Sequence, residues 1–535
     1  MSYSDKASKI RSKITQYNTI SVVNLLLNRL HVKHSGFDIP NSRSWISCLM
    51  LEWTLELGII VNAKDANEKG VHKILNDIWT LQDQALNLVD NKNPFFAMRK
   101  FLIPQLRFQI SQDSHSSFLT RFSLLIRHGR YKGYFDEKFM EETKVSLDDF
   151  LTISLFLESL FKDQNLSLVK YSDLITYLHP SIDLDSIIRV INLLGSNLDG
   201  LRDICVDRRN RLNGLKPSEY FLEPALISKP LILLKDGIST SHSYVATIGI
   251  SEFALRFFKN LNHGEFKKRF TKLFEEYLGE LLESSFINFM HEDEIKSLYK
   301  SKLPKGHANN KVADFMIRDA KKILFIDAKG VEPSDTILTT NDSMLMKNQL
   351  RDHLIKGIKQ TTETANNMSI IDPQNYSEIK NRYALIVTHQ DFYLGDAKVL
   401  RGYLGQEYKH KIDEAINGQI EVEKIHFCSV SDFETIIMIC NQTNSTIFQF
   451  LDFCIEPEKR PDTGKFHMTQ HIQSFAEHKG LKSFYHFSEQ VKLEFKKNHD
   501  YMKALIEESR SFWKQGEVNI PYFYECFMKM QPVNI

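Results

Sequence analysis

Two aspartates and a lysine stand where a pair of neighbouring strands would bring them together: Asp314, within residues 311–317, and Asp327 with Lys329, within residues 322–329. Both segments are short apolar runs, and the tight connection around residues 318–321 reads as a hairpin turn. A turn centred between Ala320 and Lys321 sets Asp314 opposite Asp327 across the antiparallel pair. Side chains alternate along a strand, so Asp327 and Lys329 project from one face, beside Asp314. The strands are otherwise apolar (Val312, Phe315, Ile317, Ile323, Leu324, Phe325, Ile326). Burying two facing carboxylates there costs on the order of several kcal/mol unless positive charge sits with them. Lys329 supplies one charge, and a hard divalent cation such as Mg²⁺, which prefers oxygen ligands, would supply the rest. Such an ion polarises a phosphodiester oxygen and acidifies a bound water, while Lys329 orients or deprotonates that water or stabilises charge on the phosphate. The competing reading is an exposed hairpin whose Asp–Lys pair contributes about 0–1 kcal/mol.

The elements that must position these groups show as periodicity. From residue 15 to about 215 apolar positions recur at helical spacing, as in Val22, Leu25, Leu26 and Leu30, or Phe150, Ile153, Phe156, Leu157 and Leu160. Residues 168–194 read as two helices flanking His179-Pro180, with Asp183 or Asp185 capping the second. That outline fits a DNA-reading helix-turn-helix and, more commonly, a plain packing hairpin. Arg208, Arg209 and Arg211 read as a solvated face. Around residues 229–248 the pattern changes to short β-like runs, PLILLKD and SYVATIG, which mark a domain boundary. A long helix over residues 263–289 follows, with Phe266, Phe270, Leu273, Phe274, Tyr277, Leu278, Leu281 and Leu282 on one stripe. After it the sequence predicts strands at 294–300, 311–317 and 322–329, a helix at 344–367, a strand at 383–388 and an edge strand at 425–430. The last hundred residues read as helical.

With that order of elements, Val312-Ala313-Asp314 and Asp327-Ala328-Lys329 resemble the signature of the PD-(D/E)XK, or restriction-endonuclease-like, nuclease superfamily, over about residues 263–430. The proline of the family's name is replaced by Ala313. The resemblance implies an α/β nuclease core of order αβββαβ with a mixed central sheet (residues 229–435). A large, mostly helical N-terminal domain (1–228) for sensing, targeting or oligomerisation would precede it, and a helical C-terminal extension (436–535) would follow. The family places a glutamate on its first helix, matching Phe274-Glu275-Glu276-Tyr277-Leu278. Glu275 is preferred because it borders the apolar stripe beside Leu278 and Leu282, whereas Glu276 lies closer to Lys272 and Glu280. Two solvated glutamates are the alternative. A Gln or Lys on the helix after the second strand matches Gln360, with Lys359 or Lys356 as alternatives. The implied metal ligands are Asp314, Asp327 and Glu275, holding Mg²⁺ with Mn²⁺ as a substitute, and Lys329 and Gln360 complete the catalytic set. The implied activity is hydrolysis of DNA by an endonuclease in restriction or anti-phage defence, with RNA as an alternative substrate. A homo-oligomer is expected, because two strands must be cut. Lys296, Lys300, Lys302, Lys305, His307 and Lys311 suit phosphate contacts and equally suit a solvated strand edge.

Composition bounds these readings. At 535 residues the chain exceeds one hydrophobic core and predicts two or three domains. Hydrophobic residues at 42% and charged residues at 25% are ordinary for a globular protein. A formal charge of +1 excludes a global cationic field, so any nucleic-acid surface is a local patch. The six cysteines are dispersed without a Cys-x-x-Cys pair and read as reduced core residues. The polar start MSYSDKASKIRSKITQ has no secretory apolar run, and Glu52 and Glu56 interrupt the greasiest stretch, so a cytoplasmic chain with no membrane span is expected. The sequence has neither G-x-x-x-x-G-K-[ST] nor G-x-G-x-x-G after a strand, so translocation would need a partner ATPase or other defence protein. H-E-x-x-H and G-x-S-x-G are absent too, and His389 stands alone. The rival reading is a catalytically inactive nuclease fold used for nucleic-acid binding or assembly. Intact Asp314, Asp327 and Lys329 stand against it.

Overall fold

The computed structural model describes residues 1–32, 43–86, 94–109, 116–303, 312–376, 381–458, 465, 467–514 and 519–531, apart from single positions 128, 132, 165, 286, 320 and 485. The described chain is rich in α-helix and carries two small mixed sheets. The first is built from β1 (Val169–Lys170), β2 (Gly195–Ser196), β3 (Leu231–Leu233) and β4 (Gly237–Thr240), in the order β1-β4-β3-β2. Residues 231–240 therefore complete a sheet begun at residue 169. SYVATIG, expected as a strand, is instead the helix Ser243–Ser251, buried along most of its length. A helix buried all round has no periodicity to separate it from a buried strand.

Helix α1 (His263–Ser284) buries every residue of the expected stripe. The second sheet follows: β5 (Phe289–His291), β6 (Phe315–Asp319), β7 (Lys322–Lys329), β8 (Asn381–Thr388) and β9 (Ile425–Ser429), hydrogen-bonded in that order. The pairs β5–β6 and β6–β7 are antiparallel, while β7–β8 and β8–β9 are parallel. Residues 294–300, expected as a strand, lie in helix α2 (Glu292–Lys302). Three acids in its first turn and Lys300 and Lys302 in its last complement the helix dipole, and Ile295 and Tyr299, four apart, are buried. The strand of that hairpin is β5, just before it. Beyond β7, helix Ser343–Leu350 passes through a π-turn (Arg351–Ile355) into helix α3 (Lys356–Ile371), which packs on β7 and β8. β7 is flanked on both edges, and Ile323 through Ala328 are all buried.

The two-helix segment Tyr171–Leu178 and Leu184–Leu194 has Asp183 accepting from the N–H groups of Asp185 and Ser186. His179 between them bonds Tyr522 (2.7 Å) and accepts from Trp513 Nε1 (2.6 Å), so the pair is docked against C-terminal helices. Arg208 and Arg209, expected on a solvated face, turn inward. Arg209 pairs with Glu56 (3.1 Å) and Glu219 (2.5 Å), and Arg208 with Glu52 (3.5 Å). The reason lies in helix Ser44–Glu56, buried almost throughout, whose two glutamates require counter-charges. No described helix is long and apolar enough to cross a membrane.

One buried ion pair joins four distant segments. Arg121, on helix Ser116–Arg127, donates to both carboxylate oxygens of Glu434 (2.6 and 2.9 Å) on helix α4 (Val430–Gln442). Tyr277 Oη of α1 donates to the same carboxylate at 2.5 Å, as does Ser488 N at 3.2 Å, where helix Glu489–Trp513 begins. Arg121→Met would leave Glu434 buried without its counter-charge. It is expected to destabilise the protein by about 3–5 kcal/mol, measured as a lowered urea midpoint; an unchanged midpoint would show that the pair contributes nothing to holding the segments.

Candidate active site

The hairpin forms with the register that the turn position implies. Phe315 pairs with Ile326, Met316 with Phe325 and Ile317 with Leu324, so Asp314, one residue ahead of β6, meets Asp327. Ala328 N donates to Asp314 Oδ2 at 2.6 Å, closing the pair one step past the last ladder residue. Ala313 N donates to Thr364 Oγ1 of α3 at 2.8 Å, a bond that a proline there could not make. Helix α3 comes close because Gly357 has no side chain: a Cβ there would lie 2.9 Å from both Asp327 Oδ2 and Ile386 Cγ1.

Asp327 is completely buried and Asp314 is 9% exposed. Lys329 forms an ion pair with Asp327 Oδ2 and donates to Gln360 Oε1 at 3.1 Å, while Gln360 Nε2 reaches Val312 O at 3.4 Å. Gln360 thus bridges the segment leading into β6 and the end of β7, and fixes the lysine. Lys359 points away, pairing with Glu363 on an exposed surface. Lys356 lies near enough for its charge to act on Asp327. Of the two candidate glutamates, Glu275 and Glu276 of α1, Glu275 acts electrostatically on both Asp314 and Asp327. Its side chain is 12% exposed and pairs with Lys272 at 2.9 Å. Glu276 turns the other way, to Arg130 at 2.6 Å. Lys272, which the helical angles set beside Glu276, belongs instead with Glu275. Lys296, Lys300 and Lys302 lie on α2; Lys305, His307 and Lys311 lie outside the described residues.

The end of β7 is braced from behind. His389 N and Val331 N both donate to Lys329 O (3.2 and 2.7 Å). Glu332 faces His389 Nδ1 at 3.5 Å and Lys259 Nζ at 2.8 Å. Burial works against ionising Glu332, yet His389 and Lys259 hold its carboxyl down at about 2. His389 is therefore partnered, its ring packed edge-on against Phe270. Glu332 and Lys259 carry no local motif, and only the fold brings them to His389.

Electrostatics set the state of the centre. Burial pushes the Asp314 carboxyl well above its usual range, and the charge of Asp327 adds to this, against the opposing pull of Lys329. Burial also raises Asp327, with Lys329 opposing. Asp327 Oδ1 has no hydrogen-bond partner among the described residues. A buried carboxylate oxygen left this way calls for a proton or a cation. The donor set suits a hard ion. Among the described residues no three His, Cys, Asp or Glu side chains converge as a ready metal nest. An ion here would rest on Asp314 and Asp327, with water and substrate oxygens completing its shell, an arrangement that Mg²⁺ commonly adopts.

Comparison of the chain with protein-family models, with curated proteins and with solved structures gave no match.

Because both aspartyl groups titrate higher in the folded state than in the unfolded chain, the folded protein holds protons that the unfolded chain releases. The associated stability is present below the unfolded value, about pH 4, and is lost as pH rises through the folded one. In chelator, Asp327→Asn is expected to stabilise the protein at about pH 8 by roughly 1 kcal/mol and to be nearly neutral at about pH 4. Thermal melts at both pH values test this, and destabilisation of equal size at both would refute the electrostatic account.

Proposed function

We propose that this chain is a Mg²⁺-dependent endonuclease of the PD-(D/E)XK type, hydrolysing phosphodiester bonds of DNA. One observation carries the reading: a hairpin in defined register delivers two buried carboxylates and a lysine to a single point, with one carboxylate oxygen left unpartnered. The surrounding order supports it in outline: α1, β5, β6, β7, α3 and β8 follow one another around a mixed sheet, with α2 inserted between β5 and β6 and shorter helices between β7 and α3. Ala313 in place of the family's proline is accounted for by its N–H bond to Thr364.

In this reading Asp314 and Asp327 hold the ion, and Glu275 is the third acid within electrostatic reach. When bound, Mg²⁺ polarises the phosphodiester and acidifies a water. The protein's own part is positioning. Lys329 has three N–H donors, of which one goes to Asp327 and one to Gln360. The third is left for the attacking water or a non-bridging phosphate oxygen, where it stabilises charge that grows as the new P–O bond forms and the ester bond breaks. Gln360 holds the ammonium in that line, and Lys356 adds positive charge on the same side. The resemblance extends the proposal to restriction or anti-phage defence, to a homo-oligomer that cuts both strands, and to a partner ATPase or other defence protein where translocation is needed.

Plasmid DNA incubated with the protein and Mg²⁺ is expected to be nicked or linearised. Asp327→Ala and Lys329→Ala are each expected to slow this by on the order of 10²-fold or more. If wild type and both variants leave the plasmid equally intact, the hydrolase reading falls and a binding or assembly role replaces it. The same assay on RNA identifies a ribonuclease.

A further inference from the structure

The ion pair between Lys272 and Glu275 has a consequence for how the proposed centre becomes ready for its metal, and the inference rests on the hydrolase reading above. Glu275 is the only one of the three implied ligands that is held by a cation outside the centre. Its Oε2 lies 2.9 Å from Lys272 Nζ, one helical turn away on α1. The Glu275 side chain is 12% exposed and that of Lys272 is 43% exposed, so the carboxylate is the buried end of the pair and the ammonium the end nearer solvent. Lys272 also lies within the field of Asp314 and of Glu292 on α2.

We infer that Lys272 is a substrate-exchanged latch: it holds Glu275 away from the ion until a backbone phosphate takes the ammonium, and the released carboxylate then turns to complete the ligand set. The exchange is reasonable in strength. A part-exposed Lys–Glu pair three residues apart on a helix is weak and salt-screened, whereas a phosphate offers Lys272 a stronger charge-assisted partner. Metal and nucleic acid then bind cooperatively, and by linkage each tightens the other by the same factor. The centre is thereby armed chiefly on substrate, which limits unproductive binding of divalent ions in the free protein.

Lys272 is a positioning residue, so the test reads binding rather than cleavage. Calorimetric titration of Ca²⁺ into the full-length, DNA-free protein is run on wild type, Lys272→Met, Glu275→Gln and the double variant, with Lys267→Met as a control for loss of one positive charge on the same helix. Lys272→Met is expected to tighten Ca²⁺ binding about tenfold when Glu275 is present, and to have no more effect than the control when it is Gln. Adding a short DNA duplex should tighten Ca²⁺ binding in wild type more than in Lys272→Met. Equal tightening by Lys272→Met in the Glu275 and Gln backgrounds overturns the latch while leaving the hydrolase reading intact. A wild-type protein that takes up no divalent ion, with or without duplex, overturns both. Circular dichroism of each variant confirms folding, and the Glu275→Gln background supplies the comparison without disturbing the buried pair.

Discussion

The structure around the centre is organised by one constraint: a fully buried carboxylate, Asp327, sits on the middle strand of a five-stranded sheet with a second carboxylate against it. β7 is paired on both edges and buried from Ile323 to Ala328, so the backbone cannot move to expose the charge. Everything near it is arranged to tolerate that position. Lys329 supplies the counter-charge two residues on, from the same face. Asp314 is drawn in by the Ala328 N–H and keeps the facing position past the end of the ladder. A glycine at 357 admits the helix backbone where any larger residue would meet the carboxylate. Ala313 and Gln360 tie that helix back to the strands through Thr364 and Val312, so sheet and helix are joined in one hydrogen-bonded block.

That block is also anchored to the helical half. Arg99, on helix Pro94–Gln109, is buried and donates to the carbonyls of Ile337, Phe392 and Tyr393. These lie in the connections that follow β7 and β8. Phe96, one turn earlier, packs its ring against Tyr403 at 5.1 Å. A single N-terminal helix thus fills the carboxyl-end surroundings of the parallel strands, the region where α/β sheets usually keep their sites.

The hairpin was legible in the sequence because its information is local. Alternation, a short turn and three charges fix the register, and the ladder from Phe315–Ile326 to Asp319–Lys322 follows it. The stripe on α1 was legible for the same reason. The sequence misleads where burial erases the periodic signal or where the deciding partner is remote. SYVATIG is apolar on every side, so strand and buried helix look alike. Residues 294–300 read as a strand, whereas an acidic start, a basic end and the Ile295–Tyr299 pair mark a helix. Arg208 and Arg209 read as surface residues because Glu52, Glu56 and Glu219 lie far away in the chain. Helical angles alone set Lys272 nearer Glu276, since adjacent residues on a helix differ by only about 100°, but Arg130, from another part of the fold, claims Glu276 and leaves Lys272 to Glu275.

Comparing the two buried acid clusters separates structural from chemical purpose. Around Glu434 each carboxylate oxygen is met twice, by Arg121 and Tyr277 on one side and by Arg121 and Ser488 on the other. Such saturation makes a buried charge tolerable and leaves nothing for a ligand to do. Around Asp314 and Asp327 the balance fails: the two acids share one ion-paired lysine, with Lys356 acting only at longer range, a third acid lies in range, and Asp327 Oδ1 is unmet. A chain selected only for stability would replace these groups with apolar ones of similar shape at little loss or at a gain. Keeping the unsatisfied cluster in the central strand of the sheet, while the acid that Tyr277 of α1 meets is fully satisfied, supports the proposal that a cation completes it.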